Sequence, residues 1–332
     1  LKTLNMLLKN SIMVYNFMFV LASVTGCRIY EISQMFYTFD TYTKAKEGLT
    51  IKVEHSAVDN INIDLLSNTK LCNKMFNITE RVDSIVLYSY NVEEIETELL
   101  INVDLTRSLE VRNGKIKIIK RHTFKNLKIV SLLLSNCSIE IIENEAFVDL
   151  NELTELHLWY NFLTRFNPAS FKNLPQLEYL QCEHNKITDL GQRSFAFLTT
   201  NNAECRFSFN RIRKVDRKVF NGLTVEYLSI YLDDNFISDL PAGIFEGHTF
   251  AVIDLRSNTL KKVSEQFFEG HFKIQEVLLS LSYLYQDTMM KFVSWSVKNN
   301  ITLTSCSNKK VAGIGFMAII FISKICTIAL LK

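Results

Sequence analysis

One stretch of this chain repeats itself about every 24 residues, and no other feature restricts its fold so strongly. The clearest copy is LTELHLWYNFLTRFNPASFKNL, from Leu153 to Leu174. Its template is L-x-x-L-x-L-x-x-N-x-L-x-x-L, with Phe five residues on and Leu three after that. The next copy supplies Leu177, Leu180, Cys182, Asn185, Ile187, Leu190, Phe195 and Leu198. A fixed period of this length marks a stacked solenoid, because one unit cannot bury its own apolar face and must lean on its neighbours.

The ninth position of the template serves as a ruler. It falls at Tyr90, Gly114, Cys137, Asn161, Asn185, Asn210, Asn235 and Asn258, at intervals of 23 to 25 residues. The template Phe recurs in register as Phe124, Phe147, Phe171, Phe195, Phe220, Phe245 and Phe268. This ladder predicts that Phe171 and Phe195 stack as neighbours. A worn ninth unit runs through Ile274, Val277, Leu279, Ser282 and Leu284. The first unit (Val82, Ile85, Leu87, Val92, Ile95) lacks its Phe, as terminal repeats often do.

Each template position has a physical role. The L-x-L core is a short strand whose alternate side chains face opposite ways, so Leu156 and Leu158 point inward while Glu155, His157 and Trp159 point out. The Asn turns inward to bond backbone groups that the turn leaves stranded. Phe and Leu of the return segment fill the other side of the core. These motifs resemble the extracellular leucine-rich repeat family with 24-residue units, over roughly Val82 to Leu284. The resemblance implies an α/β solenoid: a horseshoe with a concave parallel β-sheet and an irregular or short-helical convex face. It is specific for fold and says little about function, since the family includes receptors, adhesion proteins and soluble recognition proteins.

The rest of the chain is read around residues 82–287, about eight to nine repeats. Residues 1–26 carry Lys2 and Lys9, then an apolar run Ile12–Val24 and small residues up to Gly26, which describes a secretory signal. That run is short against the roughly 20 residues that span a bilayer; the alternative is a buried core segment. With Leu1 at the front, the translation start is expected at Met6 or Met13. Residues 27–81 are expected to be an N-terminal cap and 288–310 a C-terminal cap and juxtamembrane segment. Residues 311–332 form an apolar tail interrupted by Lys324. Lys309 and Lys310 lie on its outer side, against the positive-inside bias. The small and polar residues Ser305, Ser307 and Asn308 before it suit a cleaved lipid-anchor signal, with a transmembrane helix as the alternative. A third reading is a chain whose cytoplasmic part is missing.

Three sequons, at Asn77, Asn136 and Asn300, agree with export. Six cysteines precede the tail. Cys182 and Cys205 replace core leucines and are expected to behave as small hydrophobes. Cap disulfides are usual in the family, and the resemblance implies Cys27–Cys72 as the bridge. The chain lacks the clustered four-cysteine caps of many members.

Function is read from the outward positions of the sheet. Across the middle units these carry His157, Trp159, Tyr160, Tyr179, Glu183, His184, Arg206, Phe209, Tyr231 and Asp233. Aromatics and Arg clustered on a rigid surface are the stuff of protein-binding hot spots; the competing reading is cross-strand packing alone. His157, Glu183 and His184 do not amount to a metal site, because three ligands at fixed distance cannot be read from them. Thirty-seven basic against 35 acidic residues, a net charge of +2, give no argument for nucleic acid. No phosphate loop, nucleophile triad or cofactor motif is present. The expectation is a non-enzymatic recognition protein without cofactors, at the outer face of the plasma membrane, binding a protein ligand or a cell-surface co-receptor. Alternatives are a soluble innate immune recognition protein and a structural matrix component.

Overall fold

A computed structural model describes residues 82–97, 100–101, 106–280 and 283–304, together with the short strands 17–23, 45–46, 51–53, 60–64, 70–71 and 76–78. It is a parallel β-solenoid with little helix. Its main sheet is 13-stranded. The strands Val82–Tyr88, Thr106–Arg112, Ser131–Ser135, Glu155–His157, Tyr179–Gln181, Asn202–Arg206, Tyr227–Tyr231, Thr249–Asp254 and Lys273–Leu278 follow one another in chain order. Each pairs in parallel with the next at equivalent template positions, as in Leu156 with Leu180 and Leu180 with Cys205. The inward residues Leu156, Leu158, Leu180 and Cys182 are buried.

The template asparagines tie the rungs together. Asn185 donates from Nδ2 to the carbonyls of Leu158 (2.9 Å), Cys182 (3.1 Å) and Glu183 (3.2 Å). Its Oδ1 accepts from the Leu163 N–H of the preceding unit at 3.0 Å. Asn161, Asn210, Asn235 and Asn258 repeat the pattern and are all buried. Cys137 fills the same position as a thiol aimed at the Val111 carbonyl, 3.2 Å away. Burial pushes its pKa up to about 12, so it stays a neutral thiol. Cys182 and Cys205 are also free and buried. Tyr90 departs from the ruler. It is 50% exposed, and Ser89 turns inward in its place, donating to the Arg112 carbonyl.

The phenylalanine ladder is real but broken once. Phe124 stacks on Phe147 at 5.4 Å and Phe147 on Phe171 at 5.6 Å, on neighbouring two-residue strands of the return segments. Phe195 stacks on Phe220 at 5.4 Å and Phe220 meets Phe245 at 5.8 Å. Between the two runs Phe171 stacks on Phe197 at 4.5 Å, not on Phe195 as expected. Phe166 bridges the gap, lying 5.7 Å from Phe171 and 6.2 Å from Phe195. The cause is a change in the return segment, from an extended pair at Phe171–Lys172 to a turn across residues 192–197. At the far end Phe267, not Phe268, continues the core, edge-on to Phe245 at 5.7 Å.

Both ends differ from the repeat reading. Asn60–Asp64 pairs in parallel with Ser84–Tyr88, which continues the sheet one rung into the stretch read as a cap. The template is worn there: Ile61 and Ile63 keep the strand positions, but Leu66 stands where Asn belongs. Phe76 and Leu100 are register partners, so Leu100 holds the ladder position of the unit that lacks Phe. Phe17–Ser23, inside the stretch read as an export signal, is a strand beside Asn60–Asp64. The Cys27–Cys72 pairing and the 311–332 tail lie outside the described residues. Among those described, no helix is long and apolar enough to cross a membrane.

The worn ninth unit is a strand, with Ile274, Val277 and Leu279 buried. After it the helix Gln286–Asn299 closes the stack, and Thr302–Thr304 adds one more parallel strand beside Glu276–Leu278. The helix buries Met289, Phe292 and Ser296, a three-to-four-residue spacing that presents one face. Phe292 and Trp295 pack on Phe267 at 5.3 and 5.4 Å. That spacing was present in the sequence but hidden behind the assumption of a juxtamembrane cap. Helix otherwise amounts to Glu265–Glu269 and a 3-10 turn at Pro168–Ser170 among the described residues. Asn300 ends the long helix in a left-handed conformation with its side chain exposed, an accessible position for a glycan.

Candidate functional site

Three columns of outward side chains cross the middle of the sheet. The strand column runs His157, Gln181, Arg206, Tyr231 and Asp254, in register through successive pairings. Two residues further along each unit comes a second column, Trp159, Glu183, Ser208, Asp233 and Arg256. A third column, one residue on, holds Tyr160, His184, Phe209, Asp234 and Ser257.

The third column is where the backbone turns out of the strand. Asn113, Asn136, Tyr160, His184, Phe209, Asp234 and Ser257 all have φ between 52° and 62°. Left-handed backbone suits Asn and Asp, whose short polar side chains tolerate it, and is disfavoured for bulky residues. Asn113, Asn136 and Asp234 of the outer units follow that preference. The three central units carry rings instead: Tyr, His and Phe. Their rings form a continuous stack, with Tyr160 on His184 at 4.3 Å and 5° and His184 on Phe209 at 4.5 Å and 4°. Tyr160 is 56% and Phe209 49% exposed, so the stack stands as a flat-sided ridge in solvent. Asn136 lies one rung before it and is exposed; its Nδ2 donates to Asn113 Oδ1 at 2.8 Å.

Between this ridge and the strand column lies a recess of about 430 Å³, lined by Trp159, Glu183, Arg206, Tyr231 and Asp233 as well as the ridge. Its cations are already engaged. Arg206 bonds Glu204 through Nε and lies 4.4 Å over the Tyr231 ring. Arg256 grips the fully buried Asp254, with Nε 3.0 Å from both carboxylate oxygens. Asp233 accepts from the Ser208 hydroxyl. Glu183 differs: its Oε2 is buried with no hydrogen-bond partner among the described residues. Burial raises its pKa above the usual carboxylate range, against the opposing pull of Arg206 and His157.

The ridge's other side is a groove of about 610 Å³ where Phe162, Lys186, Arg211 and Phe236 stand. Lys186 sits 3.9 Å over the Phe162 ring and Arg213 5.5 Å over Phe236. The ridge thus divides an acidic recess from a basic groove.

Eight of the ten residues singled out in the sequence line the recess. Tyr179 and His157 do not. Tyr179 is exposed near the start of its strand, between Glu155 and Glu204. His157 is mostly covered, bonded to Gln181 Oε1 at 2.8 Å and tilted against Trp159 at 5.0 Å. His157 and His184 belong to different columns, and among the described residues no three His, Cys, Asp or Glu gather as metal ligands. Sequence reading missed Asp254 and Arg256. The Asp254-x-Arg256 spacing carried a signal, since two residues apart on a strand share one face.

Known proteins share the repeat. A family model described as "Leucine rich repeat" matches residues 151–200, and one described as "BspA type Leucine rich repeat region (6 copies)" matches residues 193–309. Toll-like receptor 3 of Boselaphus tragocamelus is 24% identical over 79% of this chain and 30% of its own length. Human lumican is 30% identical over 60% of this chain and 58% of its own length. The chain therefore spans less than two thirds of each of these curated relatives. The crystal structure of human 5T4 (trophoblast glycoprotein) superposes with a TM-score of 0.51 at 19% identity, covering 67% of this chain and 85% of that one. At that identity the likeness speaks for the fold.

Proposed function

We propose, from the premise that this chain is a leucine-rich repeat protein, that it is a non-enzymatic recognition protein whose sheet face binds a protein partner. The observation that carries the reading is the ring stack at left-handed positions. A bulky residue held there costs about 1–3 kcal/mol unless its surroundings compensate, and flanking units lessen the cost with Asn113, Asn136 and Asp234. Stacking offsets part of it, at about 0.5–1.5 kcal/mol per aromatic pair. Packing alone does not call for rings this exposed. A rigid aromatic ridge beside a recess is the form of a protein-binding hot spot.

The test begins with a binding screen of the tagged ectodomain against cell-surface and secreted proteins. With a partner in hand, Tyr160→Asn and Phe209→Asn are expected to weaken binding by at least about 2 kcal/mol. Their melting temperatures should stay within a few degrees of the parent, because Asn suits the backbone that the rings occupy. Tyr179→Ala should matter less, since it stands outside the recess. Intact affinity in both Asn variants would move the site elsewhere.

The proposed setting is the outer cell surface, reached by export and glycosylation at Asn136 and Asn300. Both asparagines are exposed. Treatment of expressing cells with a phosphatidylinositol-specific phospholipase is expected to release the protein. Retention with an intact C-terminal tag would favour a spanning helix over a lipid anchor, and a purely cytosolic protein would defeat both.

A further inference from the structure

We infer that the recess receives a basic side chain, Arg or Lys, from the protein partner. This deepens the recognition reading above and rests on it. The recess holds two cations and both are spent: Arg206 on Glu204 and Tyr231, Arg256 on Asp254. Its anions are not balanced. Glu183 presents a buried carboxylate oxygen that no donor among the described residues satisfies. A buried acceptor of this kind is costly until a donor arrives, and a charged donor makes the stronger bond. Asp233, two rungs on in the same column, accepts a hydrogen bond from the Ser208 hydroxyl.

The walls suit a cation as well as the floor does. Trp159, Tyr160, Phe209 and Tyr231 surround the two carboxylates, and aromatic faces attract guanidinium and ammonium groups. Arg206 over Tyr231, at 4.4 Å, is an instance within the same recess. A partner carboxylate would meet Glu183 and Asp233 as like charges. It is better received across the ridge, where Lys186, Arg211 and Arg213 stand. The division of charge by the ridge thereby sets the orientation of the partner.

Tryptophan fluorescence tests this, since the chain has only two tryptophans. In a Trp295→Phe background the signal comes from Trp159 at the recess. Titration with N-acetyl-arginine N-methylamide, and with its lysine counterpart, is expected to give a saturable change. The N-acetyl-glutamine and N-acetyl-glutamate amides should give none. Glu183→Gln should weaken the arginine response at least tenfold, with Asp233→Asn as a second, independent reading should the first variant fail to fold. Equal responses to cationic and neutral amides, or an arginine response untouched by both variants, would overturn the inference. If the Asn variants of Tyr160 and Phe209 abolish partner binding while arginine amide leaves Trp159 unchanged, only the basic side chain is refuted. Partner binding indifferent to those variants would refute the recess itself.

Discussion

Phe195→Ala is expected to lower the free energy of unfolding by about 3–5 kcal/mol, the range for deleting a large buried aromatic. Phe195 is fully buried and sits where the ladder changes course. It stacks on Phe220 at 5.4 Å, meets Phe207 edge-on at 5.9 Å and touches Phe166 at 6.2 Å. Phe171 does not fill the space, because it is committed to Phe197. In a solenoid each unit is held only by its neighbours, so the damage also weakens coupling between the halves. Urea unfolding followed by circular dichroism should show the lowered midpoint and, in the variant, a broader transition. Phe268→Ala is the comparison, since Phe268 is only half-buried and should cost less. A loss at Phe195 below about 1 kcal/mol, well under that range, would mean that the ladder carries little of the fold.

The second large effect is expected at Asn185. Its alanine variant removes three donated bonds and one accepted one. The Leu163 N–H then lies buried without its acceptor, whereas the three carbonyls each keep one donor, from Asn161, Asn210 and the Tyr160 N–H. The orphaned N–H costs about 1–3 kcal/mol and each lost carbonyl bond about 0.5–1.5 kcal/mol, so a loss of about 3 kcal/mol or more is expected. Asn185→Asp discriminates the contributions. Aspartate can still accept from Leu163 N–H, but it turns a carboxylate oxygen toward three carbonyls. It should be no better than alanine. Recovery in the Asp variant would show that the accepted bond alone matters.

Much of the candidate site was legible because strands alternate faces on a fixed register. Once Asn161 and Asn185 set the count, Trp159, Glu183 and Arg206 had to point outward, whatever lay around them. The same count placed the inward leucines and the asparagine bonds. It failed at Tyr90, where Ser89 turns inward and bonds the Arg112 carbonyl, and at Asn60–Asp64, where Leu66 replaces the marker residue. It overlooked the closing helix, whose Met289, Phe292 and Ser296 spacing has a different period from the repeat.

The amino-acid sequence alone determined the pitch, the in-or-out sense of the middle strand residues and the buried ladder from Phe124 to Phe245, because these follow from local alternation and a period of about 24 residues. Only the tertiary structure decided which side chains become neighbours. That Phe171 pairs with Phe197, that Tyr160, His184 and Phe209 stack on left-handed backbone, and that one oxygen of Glu183 is left without a partner all depend on turns of separate units coming side by side. Distances between units are set by packing across the stack, and a linear period carries no record of them.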